Sequence, residues 1–115
     1  MNAFEAYEQT LQSGPDSSLE SIIATNTQAA FQYSLLVTKV PFPEGEAAIA
    51  SDPQTAFQYS LFVLKAAFPA GEAAIAVEAT TAYRYATEVL KAPFPAGEAA
   101  INASTLAGAY AEFLS

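Results

Sequence analysis

Residues 57–82 read FQYSLFVLKAAFPAGEAAIAVEATTA, and residues 31–56, FQYSLLVTKVPFPEGEAAIASDPQTA, match them at most positions without a gap. The next stretch, YRYATEVLKAPFPAGEAAINASTLAG (83–108), matches again, most closely through its central part. A fixed period of 26 residues is typical of repeat proteins, in which each copy of one supersecondary unit covers the apolar face of its neighbour. This repetition predicts the architecture better than any local propensity does.

The periodicity continues beyond these copies in both directions. One repeat position is acidic in four copies, Glu20, Glu46, Glu72 and Glu98, and another is tyrosine in four copies, Tyr7, Tyr33, Tyr59 and Tyr85. The N-terminal segment is therefore a diverged first copy, and Thr105–Leu114 is half a repeat. Such differences are expected, because terminal units of repeat arrays are commonly atypical. The sequence predicts a single domain, residues 1–115, with repeats at about 1–25, 26–51, 52–77 and 78–103 and a capping helix at 104–115.

Each repeat is predicted to begin with a long helix. Asp52 and Pro53 are typical of the N-cap and the first position of a helix. Phe57, Leu61 and Leu64 then follow the i, i+4, i+7 spacing of one helical face. No segment shows the period-two alternation of a β-strand, so the long segments are predicted to be α-helices.

A shorter helix is predicted to follow in each repeat. It starts at Pro69, with Glu72 near the positive end of the helix dipole. Gly71 would weaken this first turn unless the backbone packs closely there. In the first copy, Ser17 and Glu20 match the S-x-x-E capping box. The sequence thus predicts an all-α, right-handed α-solenoid of helix-turn-helix repeats, with helices at 2–12, 17–24, 27–39, 43–50, 53–65, 69–76, 79–91, 95–102 and 105–114.

Composition argues against catalysis. The chain contains neither histidine nor cysteine, and it lacks the glycine-rich phosphate-binding motifs. Carboxylates one repeat apart are too distant from one another to share a metal ion. We therefore expect no enzymatic activity, no cofactor and no metal; a site for a small molecule between helices stays open as a less favoured alternative. An acidic N-terminal segment and the absence of a long uncharged apolar run lead us to expect a soluble, cytoplasmic protein without membrane contact.

The charge balance restricts the partners. Twelve acidic residues stand against four basic ones, which gives a net charge of −8. Such a surface repels polyphosphate, so direct binding of nucleic acid is not expected. An acidic protein is instead attracted to basic protein surfaces.

The repeat positions supply the candidate sites, each with two interpretations. The acidic positions are either helix-start charges, paired with the lysines Lys39, Lys65 and Lys91, or a row of carboxylates that imitates a phosphate backbone. The tyrosines fit either a helix–helix seam or a contact surface. The row Phe42, Phe68 and Phe94 is expected to fill the gap between the helices of each repeat. Leu36 and Phe62 are either covered by the adjacent repeat or form an apolar patch for self-association or a partner.

The motif Lys39, Phe42, Pro43, Gly45 and Glu46, which recurs in the next two copies, resembles the Y-A-x-x-V-L-K-x-x-F-P-x-G-E pattern of short helical repeats found in uncharacterised proteins of bacteriophages and large DNA viruses. The resemblance covers Phe31–Ile101 well and the first thirty residues poorly. It implies a viral or mobile-element origin, and small acidic phage proteins often block host machinery, including CRISPR effectors.

Together these observations lead to one functional hypothesis and one alternative. The hypothesis is a non-catalytic, anti-CRISPR-like phage inhibitor whose acidic face occupies a basic, nucleic-acid-binding surface of a host defence complex. Its contact residues would be Glu20, Glu44, Glu46, Glu72, Glu98, Tyr33, Tyr59 and Tyr85. The alternative is a structural repeat protein that self-assembles into a homo-oligomer through its apolar flanks.

Overall fold

The computed structural model describes all 115 residues and contains helices but no strands. The α-helices are α1 (Ala3–Ser13), α2 (Ser17–Ile23), α3 (Thr27–Gln32), α4 (Glu46–Ile49), α5 (Pro53–Gln58), α6 (Glu72–Ile75), α7 (Ala79–Arg84), α8 (Glu98–Asn102) and α9 (Ala107–Leu114). Short 3₁₀ turns, Pro43–Gly45, Pro69–Gly71 and Pro95–Gly97, lead into α4, α6 and α8. The prediction of repeated helix-turn-helix units is confirmed.

The predicted long helices are not α-helical throughout. Each changes at its tyrosine into a π-helix: π1 (Tyr33–Thr38), π2 (Tyr59–Leu64) and π3 (Tyr85–Leu90). Each π-helix ends at a lysine in the left-handed conformation, with φ of 57° at Lys39, 54° at Lys65 and 52° at Lys91. Left-handed backbone at a helix end is normally the place of glycine, so lysine is an unusual choice at all three positions.

The helix starts follow capping chemistry, with one correction. Asp52 accepts a hydrogen bond from the Thr55 amide, as its position before Pro53 predicts. The capping box predicted for Ser17 and Glu20 is wrong, because the N-cap of α2 is Asp16, whose carboxylate already accepts from the Ser18 amide. A true capping box occurs at the start of α1, where Asn2 and Glu5 exchange hydrogen bonds of 2.8 and 2.9 Å.

Neighbouring units pack in the same way along the chain. The long helices α1, α3, α5 and α7 contact one another in order, as do π1, π2 and π3, and each short helix contacts the start of the next one. The molecule is elongated, 49 × 20 × 18 Å. Its core is one continuous cluster whose largest aliphatic members, fully buried, are Ile23, Ile49, Ile75 and Ile101. None of the helices combines the length and the apolarity needed to cross a membrane.

A glycine marks the closest approach inside each complete unit. A Cβ added to Gly71 would lie 2.7 Å from Cδ2 of Phe68 and 2.9 Å from Cβ of Ala56. Gly45 and Gly97 have the same surroundings in their units. The condition under which the sequence tolerates Gly71 is therefore met, because two side chains pack closely against its backbone.

Candidate functional site

The tyrosine and glutamate positions, which the sequence presents as two separate rows, form hydrogen-bonded pairs between units. The Tyr59 hydroxyl donates to Glu46 Oε2 (2.7 Å) and accepts from the Phe42 amide (2.8 Å). The Tyr85 hydroxyl donates in the same way to Glu72 (2.6 Å) and accepts from the Phe68 amide. Each tyrosine thus joins its own long helix to the short helix of the preceding unit.

The same pairing recurs at both ends of the array. Tyr33 donates to Glu20 (2.7 Å). At the C-terminal end, Tyr110 in α9 donates to Glu98 (2.6 Å) and accepts from the Phe94 amide (3.0 Å). Sequence reasoning missed Tyr110 because it lies one residue short of the period. Tyr110 could have been found by its separation from Glu98. The two residues are 12 positions apart, close to the 13 that separate the other pairs.

The interpretation of Tyr33, Tyr59 and Tyr85 as partner contacts is corrected by the structure. All three side chains have no exposed surface, so a docked protein cannot reach them. Each packs edge-on or tilted against the phenylalanine of its own unit, with Tyr59 and Phe68 centroids 5.1 Å apart. The helix–helix seam is therefore the role that the geometry gives to these tyrosines, and Phe42, Phe68 and Phe94 are buried beside them as expected.

The glutamates keep part of their surface in solvent. Glu20, Glu46, Glu72 and Glu98 are half-buried, and each uses only Oε2 to accept from its tyrosine. Glu44 is exposed and forms no side-chain hydrogen bond. The lysine pairing considered for this row does not occur, since the single salt bridge of the molecule joins Arg84 to Glu88 at 2.7 Å. The four paired carboxylates are therefore both a structural link and an outward negative charge.

Alkaline pH should destabilise this arrangement. Burial, and next the hydrogen bond to Glu20, raise the pKa of Tyr33 to about 12; burial also raises the pKa of Tyr59, Tyr85 and Tyr110. Because the folded-state pKa lies above the unfolded value of about 10, the stabilisation is complete below pH ~10 and is lost as pH rises through the folded-state pKa. We expect urea midpoints to fall steadily above pH ~10 while phenolate absorbance appears together with unfolding. A midpoint that stays constant up to pH ~12 would contradict this.

A second surface combines positive charge with exposed apolar side chains. Lys39, Lys65 and Lys91 are exposed and unpaired, and we call them the lysine edge. Leu36 and Phe62 lie one turn before two of these lysines and are 54% and 52% exposed. The adjacent repeat therefore leaves about half of each side chain uncovered, and the interpretation as an apolar patch is the one that fits.

The largest groove on the surface is lined mainly by polar side chains. The largest groove, about 410 Å³, lies between α5 and α7 and is open to solvent, and Phe57 is the one hydrophobic residue that lines it. At its edge the Arg84 guanidinium lies 4.8 Å from the centroid of the Phe57 ring. No three acidic side chains come close enough to hold a metal ion.

Comparison with known protein families, curated proteins and solved structures found no match to this chain.

Proposed function

We propose that the chain is a right-handed α-solenoid that acts without catalysis, by binding a basic surface of another protein. The observation that carries this proposal is the uncompensated charge: of 12 acidic residues, Glu88 alone has a salt-bridge partner. Unpaired carboxylates on an elongated body create a long-range negative potential, which accelerates encounter with a positive partner by roughly 10–10³-fold.

The regular glutamate positions suggest what kind of basic surface would fit. Helices of successive units pack about 10 Å apart, so Glu20, Glu46, Glu72 and Glu98 present carboxylates at repeated intervals along one side of the array. The buried tyrosines hold one oxygen of each carboxylate in place and leave Oε1 for a partner. A row of this kind imitates a phosphate backbone, and the partner we favour is a nucleic-acid-binding surface of a bacterial defence complex, in line with the phage-type resemblance.

The experiment compares the capture of partner proteins from a bacterial lysate by the unchanged chain, a charge variant and a control variant of unchanged charge. Glu8, Glu44 and Glu112 are exposed and their side chains form no hydrogen bond, so changing all three to Gln removes charge without removing a structural contact. The control changes the exposed, uncharged Gln9, Gln12 and Asn102 to Ser and keeps the charge unchanged.

We expect the purified captured partner to associate about tenfold more slowly with the Glu→Gln variant than with the unchanged chain. Its association with both of these proteins should slow further as the salt concentration rises. Added duplex DNA should compete for the partner if its surface binds nucleic acid. Binding that is insensitive to salt and to the three substitutions would refute the acidic-surface proposal. Salt-sensitive binding without DNA competition would refute the nucleic-acid imitation alone.

A further inference from the structure

The groove between α5 and α7 contains one basic and one acidic side chain that are not paired with each other. Arg84 and Glu78 both line it, and Arg84 forms its salt bridge with Glu88 instead. The equivalent positions in the two preceding units hold no such combination of charges: they are Gln58 and Asp52, and Gln32 and Asn26. The groove therefore offers two separate charges of opposite sign at a single place in the array.

Arg84 is held in a fixed orientation with its outer nitrogens free. Its guanidinium lies 4.8 Å from the centroid of the Phe57 ring, and its Nε donates to Glu88 Oε2 at 2.7 Å. The two Nη atoms form no hydrogen bond within the protein. Because the contact with the ring and the Nε bond restrict the plane of the guanidinium, the two Nη atoms form a pre-organised fork for a carboxylate.

Glu78 occupies an N-cap position without capping its helix. Asp52, at the equivalent position, accepts from the Thr55 amide at the start of α5. Glu78 forms no such bond with the backbone of α7. Its Oε1 accepts from the Thr81 hydroxyl and lies 3.5 Å from Nε2 of Gln54. Oε2 has no partner, so one carboxylate oxygen remains free in the groove.

The glutamines of α5 are available to a ligand where the equivalent glutamine of α3 is not. Gln28 Nε2 donates to Thr55 Oγ1 at 2.9 Å and so bridges α3 and α5. Its equivalent, Gln54, makes only the 3.5 Å contact with Glu78. Gln54 and Gln58 are one turn apart on α5 and both line the groove. Each amide can donate and accept, so the pair can bond the peptide groups of a ligand.

We propose that this groove binds a short zwitterionic peptide, with its carboxylate on Arg84 and its ammonium group on Glu78. The two residues are six positions apart on α7, which corresponds to roughly 9 Å along the helix axis. An extended chain spans about 3.3–3.6 Å per residue, so about three residues reach from one charge to the other. The site is separate from the acidic residues assigned to a basic partner, and its occupation does not depend on that proposal.

The test is an NMR titration of the whole chain with trialanine, followed at the side-chain amides of Gln54 and Gln58. We expect a dissociation constant on the order of millimolar, as is usual for a ligand of this size in an open groove. N-acetylated trialanine and trialanine amide should each bind about tenfold more weakly, because each lacks one of the two charges. Free alanine should also bind about tenfold more weakly, because it is too short to reach both groups.

Two variants borrow residues that other units already have at these positions, so the helices should be retained. Arg84→Gln and Glu78→Asn should each weaken the binding of trialanine about tenfold. Arg84→Gln should in addition bind trialanine and its amide equally well, because the partner of the carboxylate is gone. Glu78→Asn should bind trialanine and its acetylated form equally well. Circular dichroism checks the fold of both variants.

Lys39→Gln is the matched control, since it removes one positive charge outside the groove and should leave the affinity for trialanine unchanged. The proposal is overturned if trialanine does not saturate the chain at tenfold above the expected dissociation constant. It is equally overturned if blocking either end of the peptide has no effect, or if both groove variants bind as the unchanged chain does. None of these results would alter the binding of a basic protein surface.

Discussion

Gly71→Ala is expected to lower the free energy of unfolding by about 3 kcal/mol, at the upper end of the usual range for overpacking. The new methyl group would lie 2.7 Å from Cδ2 of Phe68 and 2.9 Å from Cβ of Ala56. Real Cβ atoms do not approach so closely, and neither neighbour can give way easily. The Phe68 ring is buried against Tyr59, and Cβ of Ala56 is fixed to the backbone of α5. Urea unfolding followed by circular dichroism measures the effect.

The chain supplies its own control for this substitution. Gly108 lies in α9, and no atom is within 4 Å of the position that its Cβ would occupy. Gly108→Ala should therefore stabilise the protein by roughly 0.5–1 kcal/mol, the usual gain from replacing glycine inside a helix. If both substitutions change stability by the same sign and amount, the close approach at Gly71 does not have the energetic role that we assign to it.

The outline of the fold could be predicted because its signals are local and repeated. Asp52 and Pro53 indicate a helix start through capping chemistry that needs no knowledge of the neighbours. The 26-residue period strengthens the prediction, because each copy independently predicts the same unit. Gly71 could be interpreted correctly for a related reason: a glycine within a helical turn is unfavourable unless something packs against it.

The change from α- to π-helix could not be predicted in this way. Each π-helix spans only six residues, little more than one turn, so the spacing of apolar residues has too few positions to distinguish it from an α-helix. The left-handed Lys65 was equally unexpected, because lysine near a helix C-terminus already has a sufficient explanation in the helix dipole. The π-helix ends with two backbone hydrogen bonds that are wider than the i→i−4 bond of an α-helix: the Lys65 and Ala66 amides donate to the Ser60 carbonyl, five and six residues earlier.

The pairing of Tyr59 with Glu46 shows the main limit of a repeat argument. The period aligns equivalent residues into rows, but it does not say which row faces which, because that depends on how one unit is rotated relative to the next. Two rows considered as candidates for the same contact surface consequently proved to bind each other. The tyrosine–glutamate pairing is harder to detect at the C-terminal end, because Tyr110 in α9 is displaced by one residue from the period.

Tyr59→Phe is expected to lower the free energy of unfolding by about 3 kcal/mol. The substitution keeps the ring and its contact with Phe68, and it removes only the hydroxyl. Two partners then lose their bonds: the buried Phe42 amide, at 2.8 Å, and the Glu46 carboxylate, at 2.7 Å. A buried donor left without an acceptor costs about 1–3 kcal/mol, and a hydrogen bond to a charged group contributes about 1.5–3 kcal/mol.

Tyr83→Phe is the matched control, because Tyr83 lies two residues before Tyr85 on the same long helix, is half-buried, and its hydroxyl forms no hydrogen bond within the protein. Its loss should change stability by less than about 0.5 kcal/mol. A double-mutant cycle with Glu46→Gln then isolates the pair, and we expect a coupling energy of about 1–2 kcal/mol between positions 46 and 59. Coupling near zero, with Tyr59→Phe no more harmful than Tyr83→Phe, would mean that ring packing alone joins the units. Strong coupling would identify the tyrosine–glutamate pair as the bond that sets the register of one unit on the next.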